Sequence, residues 1–399
     1  MSLDSYGATV AAVKPGSVAS WNDAWVEALH FVGDPFATLS DANQNDEDFA
    51  LGSVFCGTYR LLGGAPFDAP EVLADLTRAN QRAQTPRELA HVEALQKLAA
   101  GNFTAAANRW DEAATAATDL AAVRFAHDVY LHVGDAESRL RSSSAAFTKW
   151  PRNDHGWNFI AGQHSFALEE TGQYAEAEVL GWEALEADPL DLWALHSLAH
   201  VYESTNNQTA ALDLLRSRQA TWRLQDSLAV HIWWHLALRL IAGGDLDEAL
   251  ELHDQLVPDA TTPFRLCDLA SLLWRLELVG LDVGDRWEYL ADEFAARPER
   301  HTSGFVDLHM ALVYARRPKH VEAARFFAGV PISHAAGSSE NDDIFRTVVT
   351  PLVAAIQHRE AAPSQTMRAL DQLDAQLHRI GGSIAQRQIV NLTRTALEA

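Results

Sequence analysis

Cysteine is nearly absent from this chain: Cys56 and Cys267 are the only two in 399 residues. So distant a pair makes neither a disulfide framework nor a thiolate metal cage, and it fits a reducing compartment in which both are buried thiols. Glycine and proline are modest, at 22 and 14, and no apolar–polar alternation closed by Asn-Gly or Asp-Gly turns is sustained, so β architecture is not expected. No stretch of about 18 apolar residues occurs, and the opening MSLDSYGATVAAVKPGS has no basic segment leading into a long apolar run. Basic charge is short as well: 31 Lys and Arg stand against 54 Asp and Glu, a formal net charge of −23. A nucleic-acid backbone or an anionic bilayer would be repelled by such a surface. The expectation is a soluble cytoplasmic protein with neither partner.

What is present is alanine, leucine and a repeat. At this length one compact core gives way to two domains or to an open-ended array of helices. The clearest unit runs from about Asn158 to Asp191: a first helix NFIAGQHSFALEE, a turn at Thr171-Gly172-Gln173, and a second helix YAEAEVLGWEALEAD ending before Pro189. Gly172 supplies the permissive turn, Tyr174 fills the space between the helices, and Ala177 and Ala184 allow close approach. Advancing about 34 residues, the tetratricopeptide period, puts Asn206 in the next turn and Ala211 at the contact; Gly243-Gly244 and Ala249 follow in the unit after that. Weaker copies carry Gly101, Phe103 and Ala106, then Gly134, and downstream Gly280 and Ala324. The fold expected is all-α, a tetratricopeptide-like α-solenoid of six or seven helix pairs.

Three segments follow from the phase of the repeat. Residues 1–85 read as an N-terminal helical cap with a polar acidic loop at Asp41 to Asp48, residues 86–330 as the array, and residues 331–399 as a polar loop (HAAGSSENDD, 334 to 343) with capping helices. That second loop is either a lid or a surface connection. The Gly381-Gly382-Ser383 turn has no following Lys and is read as a helix break, not a phosphate loop.

Two His-x-x-x-His pairs stand out, His196/His200 and His231/His235, each in the first helix of adjacent units and starting 35 residues apart. Four-residue spacing puts both imidazoles of a pair on one helix face. The four are expected to converge on one groove, as ligands of a divalent metal (Zn, Fe or Mn) or as acid and base, with hydrogen-bonded structural histidines as the alternative. No His-Glu-x-x-His is present, which disfavours a zincin protease, and no paired Glu-x-x-His, which weakens a di-iron site.

The runs FALEETGQYAEAEVLGWEALEADPLDLWALHSLAHVYE and HIWWHLAL, with AHDVYLHVGD upstream and RIGGSIAQRQ downstream, resemble the tetratricopeptide repeat protein 38 family, which includes StaR-like bacterial members, over roughly residues 45 to 395. The resemblance implies a tetratricopeptide-like fold and carries no settled activity.

Aligning each unit on its turn places Arg124, Asp128, Glu169, Glu170, Trp274, Glu277 and His309 near groove-lining positions beside the histidines. Glu170, Asp128 and His309 are the catalytic candidates. Glu169 and Glu170 end a first helix, where the macrodipole disfavours acids, although a solvated or structural role also fits them. Asp128 follows His127 and is read either as the carboxylate that orients its ring or as a helix-to-helix hydrogen bond. Trp233, Trp234 and Trp274 are nominated to stack on an aromatic substrate, against core packing. Asp268 and Asp307 are read as helix caps, and His164 as a core histidine. With no nucleotide, flavin or pyridoxal motif, the leading reading is a hydrolase or lyase acting on a small molecule. The alternative is a non-catalytic scaffold holding a peptide partner in the groove, and a third reading is a small-ligand sensor without turnover.

Overall fold

The computed structural model describes residues 2–116, 118–297 and 301–398. Among them the fold is all-α, apart from one antiparallel hairpin, Ser2–Leu3 with Thr9–Val10. None of the helices is long and apolar enough to cross a membrane. The chain divides into two compact units. Unit 1 holds Met1–Leu131, Asp135–Asn206 and Arg216–Leu228, and unit 2 holds His132–Gly134, Asn207–Leu215 and Ala229–Ala399. The sequence boundary at 85 lies inside unit 1 and that at 330 inside unit 2.

In unit 1, helices α1 (Pro15–His30), α2 (Pro35–Asn45) and α3 (Leu51–Leu62) precede the repeats. Trp25 of α1 meets Phe55 edge-on at 5.2 Å and Phe125 at 5.3 Å, an arrangement that aligns ring edges with ring faces. The helix pairs follow: α4 (Pro86–Ala99) and α5 (Phe103–Ala116), α6 (Leu120–His132) and α7 (Ala136–Lys149), α8 (Trp157–Glu169) and α9 (Tyr174–Ala187), then α10 (Leu192–Ser204). Helix α4 opens on a full capping box in which Thr85 and Glu88 satisfy each other's backbone amides. Helix α8 packs against α7, α9 and α10.

The turns behave as the repeat predicts. Gly172 adopts φ 82° between α8 and α9, and Asn206 takes the same left-handed conformation (φ 52°) after α10, as Asn does more readily than most residues. Ala106, Ala177 and Ala249 are fully buried at the helix contacts, so a larger side chain there would push the helices apart.

Unit 2 continues with α11 (Ala229–Gly243), α12 (Leu246–Leu256), α13 (Pro263–Leu278), α14 (Arg286–Ala295), α15 (Gly304–Arg316) and α16 (Ala323–Ser333), and closes with α17 (Ile384–Glu398). The chain breaks before α17 at Gly381 and Gly382, both at positive φ, as the sequence implies.

Several local expectations are corrected. The acidic stretch from Asp41 is helical through Asn45, because Asp34 caps the helix and Pro35 starts it, and Leu39 and Ala42 give it a buried face. Asp46 is buried rather than solvated, accepting from Val13 N, Lys14 N and Ser17 Oγ. In the 334–343 stretch, Ser339 caps a short helix, Glu340–Ile344, through a box with Asp342. Ala323, not Ala324, is the buried contact in α16; the connection before it has no glycine to mark the phase. Neither Asp268 nor Asp307 is an N-cap: Thr262 and Ser303 hold those positions.

Gly134 and Gly381 lie within unit 2 at a close backbone approach. Gly134 has φ 65°, and a Cβ there would run into the carbonyl of His378. Gly134→Ala is expected to cost about 3 kcal/mol, combining left-handed strain with a clash against backbone that cannot rotate away. Denaturant unfolding of the variant, with unchanged m-value, checks it.

Candidate functional site

In unit 1 the candidate residues come from helices α6, α7, α8 and α10. Glu169 ends α8 and Glu170 is its C-cap, and both are buried. Because α8 ends in a tight turn, these acids sit against neighbouring helices instead of solvent. Glu169 Oε1 accepts from Ser204 Oγ at 2.6 Å, and Oε2 lies 3.7 Å from His200 Nδ1. Glu170 Oε2 accepts from Arg139 Nη2 at 3.3 Å. Burial, reinforced by the adjacent Glu170, pushes the Glu169 carboxyl up to about 8.

His196 and His200 face each other on α10 as their spacing requires: the rings are 4.5 Å apart and Nε2 meets Nε2 at 3.0 Å. The two nitrogens of His200 therefore point at different groups, Nδ1 towards the carboxylates and Nε2 towards His196. Phe166 packs on both rings at 5.1 to 5.2 Å, and Trp193 lies 4.8 Å from His196. Potential ligand atoms of Glu169, Glu170 and His200 all lie within 4.8 Å of one another.

Helix α6 brings Arg124, His127 and Asp128 to the same face. Asp128 accepts from Arg124 Nε at 2.8 Å and from the Tyr59 hydroxyl at 3.2 Å. Of the two sequence readings, the helix-to-helix hydrogen bond is therefore what forms; His127 does not bond to it. The His127 ring is buried 5.5 Å from Trp193, and neither ring nitrogen has a hydrogen-bond partner. Burial, followed by Arg139 and Arg124, drives its pKa well below the ordinary imidazole value. Arg124 lies 5.0 Å from the Trp193 ring and 5.1 Å from Phe31.

Unit 2 arranges the second histidine pair. His231 Nδ1 is 3.0 Å from Asp268 Oδ1, its ring stacks on Trp234 at 5.1 Å, and His235 meets it edge-on at 4.8 Å. Asp268 thus serves as an imidazole partner. Burial first, then His231, Arg239 and Arg275, hold His235 well below its ordinary pKa. Trp234 is buried and Trp233 half-buried. Trp274 is buried too, donating to Thr393 Oγ1 at 2.8 Å, with Arg359 4.3 Å over its ring. It borders an open cleft of about 370 Å³ with Glu277, Asp282, Arg316 and Arg359. His309 Nδ1 donates to the Phe305 carbonyl at 2.8 Å.

Arg139 and Phe166 escaped the sequence reading. Arg139 lies on a second helix, outside the positions that line such grooves, and its partnership with Glu170 is not visible in any local pattern. His164, read as core, is buried with Ser143 Oγ 3.1 Å from its Nδ1.

No family model matches the chain. A solved structure, a Rap protein complexed with competence and sporulation factor, is similar with a TM-score of 0.45 and 16% sequence identity, covering 79% of this chain and 96% of that one.

His309 ionises at about 4, lowered by burial against the opposing pull of the Phe305 carbonyl and Asp268. In the unfolded chain it takes up its proton near 6.5. Its neutral form therefore stabilises the fold fully above about pH 6.5, and that contribution drains away as pH falls towards 4. His309→Gln, which keeps a side-chain donor, is expected to flatten the loss of unfolding free energy across this window; chemical denaturation at stepped pH measures the slope.

Proposed function

We propose that this protein handles a small molecule at a divalent-metal centre in unit 1, with hydrolytic or lyase-type chemistry. The observation that carries the reading is the buried set Glu169, Glu170 and His200. Two carboxylates side by side out of water repel each other, and a dication between them and an imidazole removes that penalty. Mixed carboxylate and imidazole donors suit Zn, Mn or Fe. Such an ion polarises a carbonyl or activates water. His200 would bind through Nδ1, leaving Nε2 to His196, which then orients a ligand instead of being one.

This reading keeps His196 and His200 from the sequence and adds Glu169 to Glu170. His231 and His235 remain nominated ligands on their spacing. Asp128 and His309 would support the fold of their own units. The family we propose for the chain is that of the tetratricopeptide repeat protein 38 proteins.

A second reading, a scaffold holding a peptide, is favoured by the open cleft of unit 2, where Trp274 lies among Glu277, Asp282, Arg316 and Arg359. Repeat arrays commonly hold peptides on such surfaces. It predicts binding that tolerates His196→Gln and His200→Gln.

The deciding measurement is metal content by plasma mass spectrometry on untagged protein. Near-stoichiometric Zn, Fe or Mn is expected, lost in Glu169→Gln/His200→Ala and weakened roughly 10- to 100-fold in affinity in His196→Ala. Folded protein that neither retains nor takes up these ions overturns the proposal.

A further inference from the structure

Beside the proposed metal centre, unit 1 holds a second group of buried polar side chains that the centre does not use. It is rich in donors. His127 is buried with neither ring nitrogen paired, Arg139 has Nε and Nη1 without partners, and Trp193 has Nε1 without one. Leaving so many polar atoms unsatisfied out of water costs about 1 to 3 kcal/mol each, and protein interiors ordinarily avoid it. These side chains gather around one pair of rings. Phe166 and Trp193 are 5.1 Å apart, Arg139 lies 4.7 Å over Phe166, and His127 lies 5.5 Å from Trp193 and 6.0 Å from Phe166.

We infer that Arg139, His127 and Trp193 form a recognition site for the carboxylate of an aromatic acid, with Arg124 beside it. Guanidinium and indole N–H groups only donate, and a neutral imidazole brings one donor beside its one acceptor nitrogen, so most of what the site offers is met by a group that accepts. A carboxylate accepts through two oxygens and forms charge-assisted bonds with a guanidinium. A dianion such as phosphate fits less well: Glu170 and Asp128 already offset the charges of Arg139 and Arg124, leaving the site rich in hydrogen bonds and poor in net positive charge. The aromatic body of the acid is selected by Phe166, Trp193 and Phe31, the last stacked 5.8 Å from Trp193. Phe31 is the C-cap of α1 and holds a left-handed backbone, φ 61°, a conformation strained for a residue with a Cβ.

The site deepens the reading above, since the acid would be the small molecule handled beside Glu169 and Glu170. Its test does not depend on the metal. Calorimetric titration of the full chain in EDTA uses benzoate, its neutral isostere benzamide, and inorganic phosphate. Saturable benzoate binding is expected, with benzamide and phosphate roughly tenfold weaker or worse, and about tenfold loss of benzoate affinity in His127→Leu and in Trp193→Phe, which keeps an aromatic ring and removes the donor. Circular dichroism establishes that each variant is folded; should His127→Leu not fold, Trp193→Phe decides. Equal binding of benzoate and benzamide, tighter binding of phosphate, no benzoate binding at all, or unchanged affinity in a folded variant overturns the inference. Benzoate binding in EDTA by protein that fails the metal assay separates this site from the metal centre, and a metal-loaded protein indifferent to benzoate does the converse.

Discussion

Taking the Glu169 carboxyl out of water next to Glu170 is the constraint around which the polar cluster of unit 1 is arranged. Neither acid tolerates burial alone. Each is therefore met by a group from a different helix: Ser204 and His200 from α10 for Glu169, and Arg139 from α7 for Glu170. Arg139 is itself buried, and its pKa is lowered by that burial while Glu170 opposes the shift. Removing one partner leaves the other uncompensated, which is how a buried pair becomes hard to change even when it adds little net stability.

The repeat explains how such distant residues meet. Ser165 and Ser197 share a hydrogen bond of 2.6 Å across 32 positions, and Ser204 reaches Glu169 across 35. These separations approximate one structural period, so corresponding faces of successive first helices lie side by side. A polar residue written at the same phase in neighbouring units thus becomes a cluster, whereas in an isolated amphipathic helix it would be a single solvated group.

That same regularity decides what could be read from the sequence. The turns at Gly172 and Asn206, the contact alanines up to Ala249 and the facing of His196 with His200 follow from periodicity and are found there, whereas at Ala324 the phase slips by one residue. What periodicity does not encode is the identity of the partner. Asp128 lies close to His127 in sequence, yet it is bound by Arg124 and by Tyr59 from α3, a helix outside the repeat phase. Asp268 looks like a cap near the start of a helix, but α13 begins at Pro263, so Asp268 lies inside the helix and its side chain meets His231. Arg139 lay beyond reach because second helices are ordinarily read as the outer layer. The acidic segment at 41–45 misled for another reason: composition suggested a loop, while Asp34 and Pro35 were already a start signal.

Unit 1 is not continuous along the chain. After Asn206 the backbone contributes Asn207–Leu215 to unit 2 and returns for Arg216–Leu228. The returning piece is not ornamental, since Ser227 donates from both its amide and its hydroxyl to the carbonyl of Phe31, and Trp222 is buried. Phe31 is the residue whose ring stands beside Arg124 and Trp193. A gene fragment ending at the last helix of the obvious repeat would therefore omit the strap that fastens this ring, and no single cut yields both units whole. The interleaved segments leave no point in the chain at which one unit ends before the other begins.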